Sequence, residues 1–155
     1  MNIGIVGHEA AKFTPDTEKA AKTIISHIVR DAIVASATSG NVHDPVIVSG
    51  GCHLGGVDIW AEEYADHHGL TKIIHKPKTL SWSTGFMPRN IKIAEDSDIV
   101  HVIVVKSLPE GFRGMRFDEC YHCHTKTHVK SGGCWTAKKA QRLGKYAVWH
   151  EVGGP

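Results

Sequence analysis

The sequence has neither a long apolar run nor a large net charge. A membrane-spanning helix needs about 20 mostly apolar residues, and no stretch of this chain approaches that length. The formal net charge is only +2, which argues against nonspecific attraction to nucleic acid or to a membrane surface. The first residues also lack the basic leader and apolar segment of a secretory signal. We therefore expect a cytoplasmic protein with no membrane partner, in which any anion site is made by local geometry.

Two well-known nucleotide-binding fingerprints are missing as well. No Gly-x-Gly-x-x-Gly follows the first apolar segment, and no Gly-Lys-Ser/Thr follows Ser49-Gly50-Gly51. Dinucleotide oxidoreductases and P-loop NTPases are therefore disfavoured. The four cysteines are few for a disulfide scaffold, and in the expected compartment they are thiols or metal ligands rather than disulfides.

The apolar pattern alternates between short runs and helical periodicity, which predicts crossover helices between parallel strands. The 155 residues fit a single domain over 1–155. Strands are predicted at Ile3–Val6, Val46–Val48, Thr71–His75, Asp98–Val105 and Tyr146–Val152. Helices are predicted from Thr14 through Ile33, from Gly56 to Gly69, from Pro88 through Ala94 and over Thr136–Leu143. The segments Ser36–Pro45 and Leu80–Met87 are predicted to be irregular, and 109–133 is a Cys/His-rich insert. The predicted fold class is α/β: a Rossmann-like, doubly wound, mainly parallel sheet of about five strands with helices on both faces.

Two glycine-rich loops each lead into a predicted helix. The first is Ser49-Gly50-Gly51 with Gly55-Gly56, and the second is Ser131-Gly132-Gly133. Ligands of open parallel sheets bind beyond the carboxyl ends of the strands, where helix N-termini attract anions. The alternative is that the glycines only make tight turns between strand and helix. Two loops at matching ends favour a phosphate-binding crevice over that alternative.

The motifs resemble those of the SLOG superfamily, which includes the Lonely Guy phosphoribohydrolases, the DNA-processing protein DprA and the YspA/YpsA-like proteins. The resemblance is carried by the first glycine loop with Val57-Asp58 and Ala61-Glu62, by Arg89-Asn90 with Ile93-Ala94, and by Ser131-Gly132-Gly133 with Thr136. It covers nearly the whole chain except the insert. It implies a Rossmann-like domain that binds a nucleotide or a nucleotide-derived phosphorylated ligand.

The chain departs from this family at one position. Lonely Guy enzymes carry an active-site glutamate three residues after the threonine that Thr136 matches, and this chain has Lys139 there. A sensor or binding module is therefore favoured over a hydrolase that cleaves an N-glycosidic bond. If the chain does hydrolyse a nucleotide, the candidate carboxylates are Asp58, Glu62 and Glu9.

The predicted ligand-binding residues lie in the loops that follow the strands and at helix starts. Arg89 can bind a phosphate with both guanidinium nitrogens, or it can pair with a nearby acid on the protein surface. His8 can reach the ligand or be a satisfied turn residue, and Asp58 can contact a sugar hydroxyl or only stabilise the helix dipole. The full set is Gly7, His8, Ser49, Gly50, Gly51, Gly55, Gly56, Asp58, Arg89, Ser131, Gly132, Gly133 and Thr136.

The insert carries the sharpest chemical signal. Cys120-x2-Cys123-x4-His128-x5-Cys134 has the ligand types and spacing of a tetrahedral zinc site. The last spacing is one residue longer than in a zinc knuckle, so His122 or His124 can replace a ligand. Four protein ligands leave no open position for water, so the predicted Zn²⁺ is structural.

A knuckle-like site also suggests a nucleic-acid-binding protein as a second alternative. The basic and aromatic residues that favour it are Arg113, Arg116, Lys126, Lys130, Phe112, Phe117, Tyr121 and Trp135. The small net charge weakens this interpretation, and we prefer an insert that closes over the crevice. A homo-oligomer is compatible with the sequence.

Overall fold

The central strand of the sheet is the first one in the chain. The computed structural model describes residues 1–40 and 43–154. Its strands are β1 (Asn2–Gly7), β2 (Val46–Ser49), β3 (Lys72–Ile74), β4 (Ile99–Val105) and β5 (Tyr146–Val152). They form one sheet in the order β3-β2-β1-β4-β5, and every neighbouring pair is parallel. The prediction of a Rossmann-like α/β fold with a parallel five-stranded sheet is confirmed.

Helices cover both faces of this sheet. They are α1 (Pro15–Thr38), α2 (Val57–His67), α3 (Met87–Asp96) and α4 (Gly132–Arg142). Ile5 and Ile103 pack against α1 and α2 on one face. On the other face Val100, Val102 and Val104 pack against α3 and α4. The helices in the described part of the chain lack the combined length and apolar character that spanning a bilayer requires.

Helix α1 begins as the sequence predicts but ends later. Thr14 accepts a hydrogen bond from Thr17 N–H, Thr17 Oγ1 accepts one from Thr14 N–H, and Pro15 is the first helical residue. The helix continues to Thr38, into the predicted loop Ser36–Pro45. Asn41 and Val42 of that loop lie outside the described residues.

Two other segments also differ from expectation. The stretch predicted to be irregular contains a π-helical turn at Trp82–Phe86 that leads directly into α3. Helix α4 begins at Gly132 instead of Thr136, because the Ser131 hydroxyl accepts a hydrogen bond from Gly133 N–H (3.1 Å) and caps the helix four residues earlier. Gly132 and Gly133 therefore lie in the first turn of α4.

Candidate functional site

A crevice of about 270 Å³ lies beyond the carboxyl end of β1. Its walls come from the residues that follow β1, from the loop before α2, from the start of α3 and from the start of α4. The predicted ligand-binding residues that line it are Gly7, His8, Asp58, Arg89, Ser131, Gly132, Gly133 and Thr136. The sheet order explains this convergence, because β1 lies between β2 and β4 and the loops on both sides reach the same edge.

The first glycine loop is placed differently from a phosphate cradle. Ser49, Gly50, Gly51, Gly55 and Gly56 are not among the residues that line this crevice. The Ser49 hydroxyl is fully buried and donates to the Glu62 carboxylate (2.7 Å). Gly56 has φ +88°, and a Cβ there would lie 2.3 Å from the His8 carbonyl oxygen. These contacts fit the interpretation that the glycines allow a tight turn packed against β1.

Gly51 and Gly55 instead border a second cavity of about 550 Å³. Glu62 lines this second cavity and is absent from the crevice lining. Arg89 borders both cavities. Of the three candidate carboxylates, Asp58 and Glu9 therefore lie in the crevice and Glu62 does not.

Arg89 is held in place by one backbone carbonyl and two neighbouring side chains. Its Nη1 donates to the Gly50 carbonyl oxygen (2.5 Å) and its Nε donates to Asn90 Oδ1 (2.8 Å). The guanidinium also lies 5.5 Å from the centre of the Phe86 ring, a cation–π distance. The guanidinium is thus fixed at the crevice wall, beside the Asp58 carboxyl group.

Asp58 is buried beside this cation. The backbone N–H groups of Cys52 and Gly50 favour the charged form of its carboxylate, and a Cβ on Gly50 would lie 2.7 Å from Asp58 Oδ2, so the side chain packs directly against the first glycine loop. Burial raises the pKa of Asp58 to about 6, although Arg89 and the two N–H groups act in the opposite direction and Glu62 adds to the rise. The carboxyl group thus titrates close to neutral pH at the crevice.

Both ring nitrogens of His8 are occupied. Nδ1 accepts a hydrogen bond from Val105 N–H (3.0 Å), and Nε2 donates to the Lys130 carbonyl oxygen (2.9 Å). Burial lowers the pKa of His8 to about 3, and Lys12 lowers it further. The ring is therefore neutral and joins the ends of β1 and β4 to the end of the insert.

The N-terminus of α4 approaches β1 closely. A Cβ on Gly133 would lie 2.9 Å from Val102 Cγ2 and 3.2 Å from Gly7 N, whereas a Cβ on Gly132 would meet nothing within 4 Å. The Thr136 hydroxyl is buried and donates to the Gly132 carbonyl oxygen (3.4 Å). Gly133 is thus needed for close packing of α4, and Gly132 is free to face the crevice.

Sequence reasoning missed the aromatic wall of the crevice. Trp82 and Phe86 from the π-helical turn line it, and the Trp82 ring packs edge-on against Trp135 at 5.2 Å. Lys12 also lines the crevice, 3.5 Å from the Glu9 carboxylate. The two aromatic residues in an otherwise polar segment were the available signal, since π-helical turns are frequent at functional sites.

The insert brings its predicted metal ligands together. The donor atoms of Cys120, Cys123, His128 and Cys134 all lie within 4.8 Å of one another, so this group could bind a metal ion. His122 and His124 are not part of it. The cysteines pack against the α3/α4 face of the sheet, which makes the cluster part of the hydrophobic core.

Two residues of β5 support this cluster and were not foreseen. His128 Nδ1 lies 3.3 Å from Glu151 Oε1, which leaves Nε2 facing Cys134 Sγ at 3.6 Å. Trp149 Nε1 is buried without a conventional hydrogen-bond partner in the described structure, and it neighbours the Cys134 sulfur, whose charged form it favours. Burial, together with the neighbouring Cys120 and Cys123, raises the pKa of the Cys134 thiol.

The backbone of the insert is folded around the ligands. Cys120 and Thr125 pair in an antiparallel bridge, and His124 adopts a positive φ of 53° at the turn. The insert returns to the sheet where Val129 N–H donates to the Val105 carbonyl oxygen (2.9 Å). Lys130 then places its amino group 5.0 Å and 5.4 Å from the Phe117 and Tyr121 ring centres. These two aromatic faces are thus occupied by a residue of the chain itself.

No protein-family model, curated protein or solved structure matches the chain. The resemblance to the SLOG superfamily therefore remains an expectation from the sequence. The function has to be inferred from the geometry of the crevice and of the Cys/His cluster.

Proposed function

We propose that the chain binds a nucleotide or a related phosphorylated ligand in the crevice, as a sensor or binding module. The observation that carries the proposal is that the N-terminus of α4 and the fixed cation of Arg89 line one crevice. A helix N-terminus and a guanidinium are both ligands for phosphate. A phosphate in this crevice would therefore be attracted both by the N-terminus of α4 and by Arg89 of α3.

The remaining charges of the crevice are compatible with an anion. Lys12 and Lys130 also line the crevice, together with the carboxylates of Glu9 and Asp58, but the Lys130 amino group lies over the Phe117 and Tyr121 rings. The charges of Glu9 and Lys12 offset each other, and the Asp58 carboxyl group is offset by the neighbouring Arg89. The lining side chains therefore carry no net negative charge that would repel an anion.

The other side of the crevice suits a flat apolar group. Trp82 and Phe86 present aromatic surface there, and stacking on such rings contributes about 1–3 kcal/mol per nucleobase. The volume of about 270 Å³ is at the lower end of small-molecule sites, which span roughly 300–1,000 Å³. A mononucleotide fits this size better than a dinucleotide.

We propose Zn²⁺ as the ion of the Cys/His cluster. Its donor set is three thiols and one imidazole, the soft and borderline ligands of structural zinc sites. With Zn–S of about 2.3 Å and Zn–N of about 2.0–2.1 Å, a tetrahedron places sulfur and nitrogen about 3.6 Å apart. The observed distance from Cys134 Sγ to His128 Nε2 is 3.6 Å. The unpartnered Trp149 N–H would gain a metal-bound thiolate as its acceptor.

Such an ion would fix one wall of the crevice. Cys134 follows Gly132-Gly133 in the first turn of α4, so the ligand and the crevice-lining glycines share one helical turn. His128 lies two residues before Lys130, whose carbonyl oxygen binds His8. Zinc would therefore hold both ends of the segment 128–134 and position the phosphate site.

One observation favours hydrolysis of an N-glycosidic bond as a second candidate function. Asp58 lines the crevice with a pKa of about 6, and a carboxyl group that titrates near neutral pH can act as a general acid or base. Against this, its carboxylate packs against the backbone of the first glycine loop. Binding without hydrolysis therefore remains the primary proposal.

The two functions are separated by incubating the zinc-loaded chain with a panel of nucleoside monophosphates and dinucleotides, followed by mass spectrometry. An intact bound nucleotide supports the binding module, and free base that disappears with Asp58→Asn supports the hydrolase. Arg89→Gln should weaken binding at least about tenfold, as expected for loss of a charged hydrogen bond. Arg142→Gln, an exposed position near the other end of α4, is the matched control. Failure of every nucleotide to bind would overturn the proposal.

A further inference from the structure

The second cavity, with a volume of about 550 Å³, adjoins the crevice. Four residues border both of them: Cys52, His53, Phe86 and Arg89. The Arg89 guanidinium donates from Nε and Nη1 to protein acceptors, and its Nη2 has no protein acceptor among residues 1–40 and 43–154. A phosphate bound at Arg89 would therefore stand at the boundary, and a group attached to that phosphate has room to extend into the second cavity.

Glu62 supplies a hydrogen-bond acceptor to the second cavity. Its half-buried carboxylate lines the cavity, and Oε2 accepts a hydrogen bond from the Ser49 hydroxyl over 2.7 Å. In the described part of the chain Oε1 has no hydrogen-bond donor, and no lysine or arginine forms an ion pair with this carboxylate. The carboxylate would repel a phosphate, so it favours a group in this cavity that donates hydrogen bonds and carries no negative charge.

Lys76 supplies a donor to the same cavity. Its aliphatic stem lies against the first glycine loop, because a Cβ on Gly51 would lie 3.1 Å from Lys76 Cγ and 3.2 Å from Lys76 Cε. Its ammonium group has no hydrogen bond or ion pair with any residue that the structure describes. A positive charge here disfavours a cationic ligand, just as Glu62 disfavours an anionic one.

The rest of the lining is apolar. Pro77, Leu80 and Phe86 contribute it, and the Leu80 side chain is 68% exposed. A ligand that covers such a side chain removes apolar surface from water, which favours binding. The occupant therefore needs a carbon skeleton as well as neutral polar groups that both donate and accept hydrogen bonds.

We propose that the second cavity binds a sugar joined to the phosphate of the nucleotide, so that the ligand of this chain is a nucleotide sugar and not a free nucleotide. This inference rests on the proposed binding of a nucleotide in the crevice. A hydroxyl group both donates and accepts hydrogen bonds, so a sugar satisfies Glu62 Oε1 and the Lys76 ammonium together. A second phosphate would satisfy only Lys76, and an amine only Glu62. Carboxylates bind sugar hydroxyls in the same way in dinucleotide-binding folds.

The test is calorimetry on the full, zinc-loaded chain with three matched pairs of probes: ADP and ADP-glucose, GDP and GDP-mannose, and UDP and UDP-glucose. For a base that the crevice accepts, the sugar conjugate should bind at least about tenfold more tightly than the nucleoside diphosphate, as expected for a hydrogen bond to a charged group. Glu62→Gln should remove most of this preference and leave the affinity for the nucleoside diphosphate unchanged. Glu63→Gln makes the same change at the exposed neighbouring position and should retain the preference.

A second variant keeps the proposal testable if Glu62→Gln fails to fold. Lys76→Gln changes an exposed residue and should also lower the preference for the sugar conjugate, whereas Lys78→Gln, which lies outside the cavity lining, should not. Equal binding of a nucleoside diphosphate and its sugar conjugate would overturn this inference and leave the proposed function standing. A preference that survives both Glu62→Gln and Lys76→Gln would also overturn it. Failure of all six probes to bind would overturn the proposed function, and this inference with it.

Discussion

Nε2 of His8 donates a hydrogen bond to the carbonyl oxygen of Lys130 over 2.9 Å, across 122 residues of sequence. Nδ1 of the same ring accepts from Val105 N–H, so the tautomer is fixed by two partners on different segments. The ring therefore joins the central strand to the Cys/His-rich insert. It is a positioning residue of the crevice wall, since neither nitrogen is free for a ligand.

His8 should make the protein less stable as the pH falls. Its pKa is about 3 in the folded chain and about 6.5 when unfolded, so between these values the unfolded state binds more protons. The resulting loss of stability is about 1.4 kcal/mol per pH unit below pH 6.5, or roughly 2 kcal/mol at pH 5. Urea unfolding at pH 7, 6 and 5 measures it. His8→Gln should start less stable at pH 7 and have a shallower pH slope, and an unchanged slope would contradict the assignment.

Cys120→Ser should lose the metal ion. Cys120 is fully buried within the cluster, and a hydroxyl is a poor zinc ligand compared with a thiolate. Elemental analysis should give about one zinc per wild-type chain and much less for the variant. Cys52→Ser is the matched control, because Cys52 lies outside the cluster and its loss should leave the zinc content unchanged. Full zinc in Cys120→Ser would refute the ligand assignment.

Glu151→Gln should lower the affinity for the metal ion without removing a ligand. Glu151 lies 3.3 Å from His128 Nδ1, and the loss of such a carboxylate partner typically costs 10–100-fold in metal affinity, so we expect a decrease of about that size. Competition with a chromogenic chelator gives the affinity. Glu63→Gln, at an exposed site on α2, makes the same chemical change elsewhere and should leave the affinity as it is.

Adjacent glycines of α4 should respond in opposite ways to alanine. Gly133→Ala places a Cβ 2.9 Å from Val102 Cγ2, and overpacking of this kind costs about 1–3 kcal/mol. A Cβ on Gly132 would point into open space. Gly132→Ala should therefore leave the free energy of unfolding unchanged or raise it by up to about 1 kcal/mol. Chemical unfolding of the two variants side by side measures the difference. Equal effects would show that α4 does not approach β1 as closely as described.

The fold was predictable because its signals are local. The run Asp98–Val105 is apolar on both faces, as a strand covered on both sides must be, and the strand Tyr146–Val152 has the predicted bounds. The Cys/His cluster was predictable for the same reason, since its four residues lie close together in sequence. The start of α4 was missed because the cap comes from the Ser131 hydroxyl, while glycine propensity argued against a helix there.

The crevice was predictable only in part. The glycine loop before α2 looked like a phosphate cradle, yet Gly56 is explained by its approach to the His8 carbonyl oxygen, a contact between segments far apart in sequence. Trp82 was missed because a π-helical turn has no simple periodicity. Glu151 could not be identified either, because its role depends on the parallel pairing of β5 with β4.

The central position of β1 also limits how far the chain can fold while it is being synthesised. One edge of this strand pairs with β2, but the other pairs with β4, which begins only at Ile99. Until the ribosome has released that segment, the nascent chain carries an apolar strand with an open edge, a known template for aggregation. Fragments that end before Ile99 should therefore be insoluble, and the Cys/His-rich insert is synthesised only after β1–β4.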